Sequence, residues 1–276
     1  MSAIPLPIAA LAAASHVAPA LVAPFFRRLM LNPRRDVRPA PHLDLPEAER
    51  IDLGGGLIAW RSGAGPTVLL VHGFEGNRAQ FGAIVDMLVE RGFSAVALGV
   101  PAHGESAGHE LTAVRFVAGI EHALARLAPV RAVIGHSLGG AAALYALAKT
   151  GGAARAALIA APSSLRRELH RFAGMVGLSK RGTEAFIASV ESRVGRPADD
   201  FDVRHIAADV HLPVLLVHDQ NDRQVPVLES ARAAHMLDTA ELIVTRGLGH
   251  NRLLADATVV SSVVDFVAAQ ETSGNG

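Results

Sequence analysis

Three observations predict an α/β fold, with a mainly parallel sheet covered by helices on both faces. Short continuous apolar runs such as Thr67–Val71, Ser94–Leu98 and Val214–Val217 read as strands buried on both sides. Between them lie segments whose apolar residues recur at helical spacing. Half the residues, 50%, are hydrophobic, enough for a substantial core. The 276 residues leave room for one large domain or two small ones.

Charge narrows the function classes. Lys+Arg 26 against Asp+Glu 26 gives a formal net charge of zero. A nucleic-acid binder normally carries a basic excess or stripe. Disorder would need low hydrophobicity and high net charge. With no cysteine, the chain has no disulfide framework, Cys-ligated zinc, Fe–S cluster or cysteine nucleophile.

The elements follow in order. Residues 3–26 carry no Asp, Glu, Lys or Arg, but Pro5, Pro7, Pro19 and Pro24 interrupt the run. Proline breaks helix continuity, which argues against one spanning helix. Arg27, Arg28, Arg34 and Arg35 follow the run, whereas a signal peptide places its basic residues first. Short helical pieces are expected here, covering the cap, a partner chain or a membrane surface, with docking beside the cap near the active-site entrance as the favoured expectation. Residues 32–46, with Pro33, Pro39, Pro41 and Pro46, read as an extended linker.

Glu49–Leu53 and Leu57–Arg61 flank Gly54-Gly55-Gly56, an expected antiparallel hairpin. After Thr67–Val71, helical spacing links Phe81, Ile84, Val85 and Leu88. Thr112 suits the cap of a helix whose inner face holds Val117, Ile120, Leu124 and Leu127. Arg131–Ile134 is a strand and Leu138–Lys149 a helix. Ala156–Ala160, Val214–Val217 and Glu241–Thr245 are further strands, and Val259 to Val267 marks a last helix. Between Ala161 and His211 no strand-like run occurs. Arg166, Arg167, Arg171, Lys180, Arg181, Arg193 and Arg196 alternate there with Phe172, Met175, Val176, Leu178, Phe186 and Ile187. Short amphipathic helices forming a cap are expected.

The chemistry concentrates in turns after strands. Gly135-His136-Ser137-Leu138-Gly139 reads G-x-S-x-G, directly after a strand and before a helix. A serine there sits on a tight turn whose helix N-terminus offers free N–H groups to an anion. Serine is a weak nucleophile without an adjacent base. Of thirteen histidines, His250 stands apart in Gly247-Leu248-Gly249-His250, just after the last strand. Such a base needs a carboxylate to hold its tautomer. Asp219 and Asp222, both after Val214–Val217, compete for that place. Asp219 adjoins the strand end, while Asp222 lies further out, where the loop bends toward the histidine.

In these motifs the chain resembles the α/β-hydrolase superfamily, over about residues 49–270. Ser137, Asp222, His250 follow that fold's order. Asp222, Val225 and Pro226 match its D-x-x-V-P pattern, and the resemblance thereby selects Asp222. His72-Gly73-Phe74 resembles the oxyanion-loop H-G-x, which implies an oxyanion hole from the backbone N–H groups of Phe74 and Leu138. The family's D-x-x-G-H-G-x-S survives only as His103, Gly104 and Ser106, and His103 reads as structural. Ser137 counts against the superfamily's aspartate-nucleophile enzymes.

The resemblance implies a serine hydrolase that cleaves a carboxylic ester through an acyl-enzyme. A thioesterase or acyltransferase with the same triad, or a non-catalytic binding protein of this fold, are the alternatives. The expected organisation is an apolar arm and linker at 1–43, an α/β-hydrolase core at 44–160 and 209–276, and a helical cap at 161–208. Phe172, Met175 and Phe186 are expected to line the substrate pocket. No metal or organic cofactor is implied. The expected partner is a small-molecule ester and not nucleic acid. A cytoplasmic protein is expected, with the arm as a membrane-surface or self-association element.

Overall fold

Alternation within the buried strands is what builds the core. The computed structural model describes residues 6–34 and 48–270. Its strands are β1 (Glu49–Gly54), β2 (Leu57–Ser62), β3 (Thr67–Val71), β4 (Ser94–Leu98), β5 (Val130–His136), β6 (Ala156–Ile159), β7 (Val214–Asp219) and β8 (Ala240–Thr245). They form one sheet in the order β1-β2-β4-β3-β5-β6-β7-β8. β1 pairs β2, and β2 pairs β4, antiparallel; the remaining pairings are parallel.

Successive strand residues point to opposite faces. In β3, Leu69 and Val71 therefore join one core cluster while Val68 and Leu70 join the other. The first cluster is closed by α4 (Ala113–Leu127), α5 (Leu138–Thr150) and α8 (Leu228–Met236). The second is closed by α3 (Gly82–Glu90) and α10 (Ala257–Ala268). Thr112 caps α4, its side chain accepting from the Arg115 N–H at 3.2 Å. Asp256 caps α10 in the same way. Sequence spacing anticipated each of these elements except α8.

Between β6 and β7 lie α6 (Leu165–Val176), α7 (Lys180–Val194) and three short 3₁₀ turns. Ahead of β1 stand α1 (Leu6–Ala14) and α2 (Pro19–Leu31). The expected linker at 32–46 lies mostly outside the described residues. The break between helical pieces falls at residues 15–18, and α2 runs through Pro24. A proline in a helix forfeits one hydrogen bond. Here packing of the inner face of α2 outweighs that loss: Val22, Phe26 and Leu31 are buried against Leu169, Phe186, Ile187 and Val190 of α6 and α7. Each fully buried side chain of this size contributes about 1.5–3 kcal/mol. Among the described residues, no helix is long and apolar enough to cross a membrane.

Candidate active site

The parallel strands β3, β5 and β7 all end at the same edge of the sheet, and the singled-out residues follow those ends. Ser137 stands between β5 and α5 with φ 53° and ψ −130°. A non-glycine residue in this left-handed region is strained, and such strain persists only where the surroundings impose it. They do so by close approach. A Cβ at Gly139 would lie 2.4 Å from the carbonyl oxygens of both Val71 and His72. Glycine there lets the head of α5 rest on the end of β3. The Ser137 N–H donates to the Ile159 carbonyl at 2.9 Å, which ties the turn to β6.

Asp222 and His250 are brought together. His250 lies in the short helix α9 (Gly249–Arg252) after β8. Its Nδ1–H donates to Asp222 Oδ2 at 2.7 Å, with both residues buried. Asp222 Oδ1 accepts from the Gln224 and Val225 N–H groups at 2.7 and 3.0 Å. Burial alone would push this carboxyl up. Hydrogen bonds from His218 and His250, the His250 charge and the Val225 N–H outweigh it and hold Asp222 well below the usual carboxylate range. The group thus stays ionised and accepts from Nδ1–H, so that Nε2 is the ring nitrogen turned away from the carboxylate.

Asp219 does a different job. Its Oδ1 accepts from the N–H groups of Asn221 and Gly249, both at 2.9 Å. Its Oδ2 accepts from Thr245 Oγ1 at 2.8 Å and the Leu248 N–H at 3.0 Å. Burial raises its pKa, but these donors bring it below the ordinary value. Asp219 therefore clamps the loop that carries His250 without touching the imidazole.

Ser137 and His250 meet through the residue before the serine. His136 Nε2 donates to the His250 carbonyl at 3.1 Å, and the two rings pack 4.7 Å apart. Its Nδ1 accepts from Gln80 Nε2 at 3.2 Å. Burial first, then the neighbouring His250, pushes His136 down to about 3, so it is a neutral strut. Ser137 Oγ makes no hydrogen bond to His250 Nε2 among the described residues. In ligand-free sites such bonds are often long and tighten only when substrate binds.

The loop after β3 completes the edge. A Cβ on Gly73 would lie 2.9 Å from the Ser137 Cβ, so this loop runs directly over the serine. The N–H groups of Phe74 and Leu138 have no acceptor among the described residues. His72 donates from Nδ1 to the Gly73 carbonyl at 2.8 Å, and burial pushes it down to about 3. His103 holds the next residue: its Nε2 accepts from the Glu75 N–H at 2.9 Å while Nδ1 donates to the Pro101 carbonyl at 3.0 Å. This is the structural part expected of His103. Glu75, in turn, accepts a forked pair of bonds from Arg34 of the arm at 2.9 and 2.6 Å.

Beside Phe74 and Leu138 opens an apolar cavity of about 980 Å³, counting space open to solvent. Ser137 directly precedes Leu138 of its wall, and neither Ser137 nor His250 is among the lining residues. The walls come from α4, α5, α6, α7 and the arm, and none of the lining residues carries a charge. The three expected pocket residues lie elsewhere. Phe172 and Phe186 stack on each other at 5.3 Å between α6 and α7, and Phe186 is wholly buried there. Met175 points to solvent, 65% exposed. Apolar periodicity in the sequence marked the helices but did not distinguish their arm-facing side from their cavity-facing side. Leu165, Leu169, Val190 and Val194 take the cavity-facing role.

His136, Gln80 and Glu75 escaped assignment from sequence, and Asp219 entered only as the competitor for the place of the acid. For His136 a signal existed, its position inside the G-x-S-x-G turn; the others act through partners distant in the chain.

The fold is shared with known proteins. The α/β hydrolase fold family matches residues 66–176, and a family described as TAP-like protein matches residues 191–276. A pimeloyl-[acyl-carrier protein] methyl ester esterase of Xanthomonas campestris pv. campestris is 26% identical over 248 residues, covering 75% of this chain and 97% of the relative. An esterase of Pyrococcus furiosus superposes with a TM-score of 0.67 at 22% identity, covering 86% of this chain and 98% of that one. A thioesterase domain from the curacin biosynthetic pathway gives a TM-score of 0.59 at 15% identity, covering 81% and 99%.

Proposed function

From the premise that this chain belongs to the α/β-hydrolase superfamily, we propose that it is a serine hydrolase cleaving a carboxylic ester through an acyl-enzyme. The observation that carries this reading is the strained Ser137 at the head of α5, beside the buried His250–Asp222 pair. The relative named as a methyl ester esterase, matched over 97% of its length, supports an ester as the bond attacked.

In this mechanism Ser137 Oγ attacks the ester carbonyl while His250 Nε2 takes its proton. Asp222 holds the opposite ring nitrogen protonated and stabilises the imidazolium. The negative oxygen of the tetrahedral intermediate sits against the N–H groups of Phe74 and Leu138. Each preset donor of this kind is worth of order 3 kcal/mol of barrier. The C–O bond then breaks, His250 returns the proton to the alcohol, and the acyl group stays on Ser137. Water, deprotonated by the same histidine, attacks the acyl-enzyme and releases the acid.

A fluorophosphonate probe tests this directly. It should label the parent chain at Ser137 and leave Ser137→Ala unlabelled, and that variant should fold normally yet lose nearly all hydrolysis of p-nitrophenyl butyrate. Retained turnover in Ser137→Ala would remove Ser137 from the mechanism.

A further inference from the structure

The N-terminal arm reaches the cavity itself. Met30 and Leu31, the last two residues of α2, stand in its wall alongside Phe74 and Leu138. Three contacts hold this end of the arm in place. The Leu111 N–H donates to the Leu31 carbonyl at 2.7 Å. Asn32 Nδ2 donates to the His109 carbonyl at 2.8 Å. Arg34 grips Glu75, the residue after Phe74, through its guanidinium and its backbone N–H at 3.1 Å. At the other end, Ser15 and Ser179 exchange hydrogen bonds of 2.9 Å, so the arm is tied down on both sides of α2.

We propose that Met30 is a specificity-determining residue: the end of the arm forms part of the wall of an acyl-binding cavity, and the Met30 side chain limits the bulk of the chain it accepts. The ligand class is a linear, uncharged acyl chain. The chemistry of the walls requires this, since a carboxylate or ammonium placed among these uncharged residues would find no counter-charge. The position agrees, because Phe74 and Leu138, whose amides would face the carbonyl oxygen, stand in the same wall as Met30 and Leu31. Leu31 is buried and held by Leu111, whereas Met30 is half-exposed and unbranched, so its side chain is the adjustable part of this wall.

The turnover arm of the test rests on the ester-hydrolase reading; the binding arm does not. For turnover, kcat/KM is measured on p-nitrophenyl acetate, octanoate and dodecanoate. The dodecanoate-to-acetate ratio should fall about tenfold or more in Met30→Trp, the order of discrimination that small changes in an apolar pocket produce. In Met30→Ala the ratio should rise. For binding, dodecanoate is titrated calorimetrically into Ser137→Ala and into Ser137→Ala/Met30→Trp, and the second should bind about tenfold more weakly. Ratios that stay the same in both Met30 variants would overturn the proposal. So would equal Kd values, or an absence of dodecanoate binding to Ser137→Ala. If the parent chain hydrolyses none of the esters but dodecanoate binding weakens as expected, the ester reading falls and the acyl cavity stands.

Discussion

His136 donates a hydrogen bond of 3.1 Å to the main-chain carbonyl of His250, so the residue preceding the elbow serine props up the loop that carries its partner histidine. The strut is neutral because burial makes its protonation costly. It couples the end of β5 to the loop after β8 across 114 positions of sequence.

His136→Phe keeps an aromatic ring against His250 but leaves the carbonyl without its donor. A buried acceptor left unsatisfied costs about 1–3 kcal/mol. Urea unfolding should show a loss of that size. The kcat should fall more than KM changes, since the displaced group is the proposed base and not the cavity. Wild-type kinetics in this variant would show that the strut is irrelevant to the site.

Asp222→Asn and Asp219→Asn should separate cleanly. An amide at 222 reverses the hydrogen bond that sets the His250 tautomer, and the comparable change in another triad costs about 10⁴-fold in kcat. Asp219→Asn removes acceptor strength from the clamp on the Leu248 and Gly249 N–H groups. Its main effect should be on thermal stability, with a much smaller loss of rate. Steady-state kinetics on both variants decides the matter; a larger rate loss at 219 would assign the acid to the wrong residue.

Acid should destabilise the fold in two stages. His72 and His136 sit near 3 in the folded protein, against about 6.5 for a free histidine. As pH drops below about 6.5, the unfolded chain takes up protons that the folded chain refuses, so stability falls by up to about 1.4 kcal/mol per pH unit for each group. Their stabilising contribution is complete only above that pH. Burial raises the Glu229 carboxyl, but the Ser163 hydroxyl, Arg167, the Ser163 N–H and Arg171 bring it down to about 2. It adds a second loss as pH falls below about 4.3. Urea midpoints should hold steady from pH 8 to about pH 7 and decline as pH falls below about 6.5; a plateau between about pH 6.5 and 5 would contradict the buried neutral histidines.

Glu229→Gln should loosen the helices over the cavity. Its carboxylate accepts from Ser163 Oγ at 2.6 Å, Arg232 at 2.9 Å, and Arg167 at 3.0 and 3.2 Å, tying α8 to α6. Removing one partner of a buried ion pair costs about 3–5 kcal/mol, less here because the arginines are about a third exposed. A loss of about 2–3 kcal/mol is expected, with faster amide exchange in α6. Unchanged exchange there would mean that the cluster does not restrain the helix.

What the sequence determined alone is local: apolar runs of strand length, helical spacing, the Thr112 cap, and a serine turn whose neighbours in the chain are its neighbours in space. A serine, then an aspartate after Val214–Val217, then His250 was legible for the same reason, since each follows a strand and parallel strands end at one edge; the family resemblance, not the spacing, picked Asp222 over Asp219. Only the tertiary structure decided the rest. It separated Asp222 from Asp219 as imidazole partner and loop clamp, a distinction that depends on where the loop after β8 comes to lie. It moved Phe172 and Phe186 away from the cavity, because they pack into the cluster that α2 forms with α6 and α7, and it left Met175 facing solvent. And it put Met30 in the cavity wall, 107 positions from Ser137, held by contacts that only the folded chain can make.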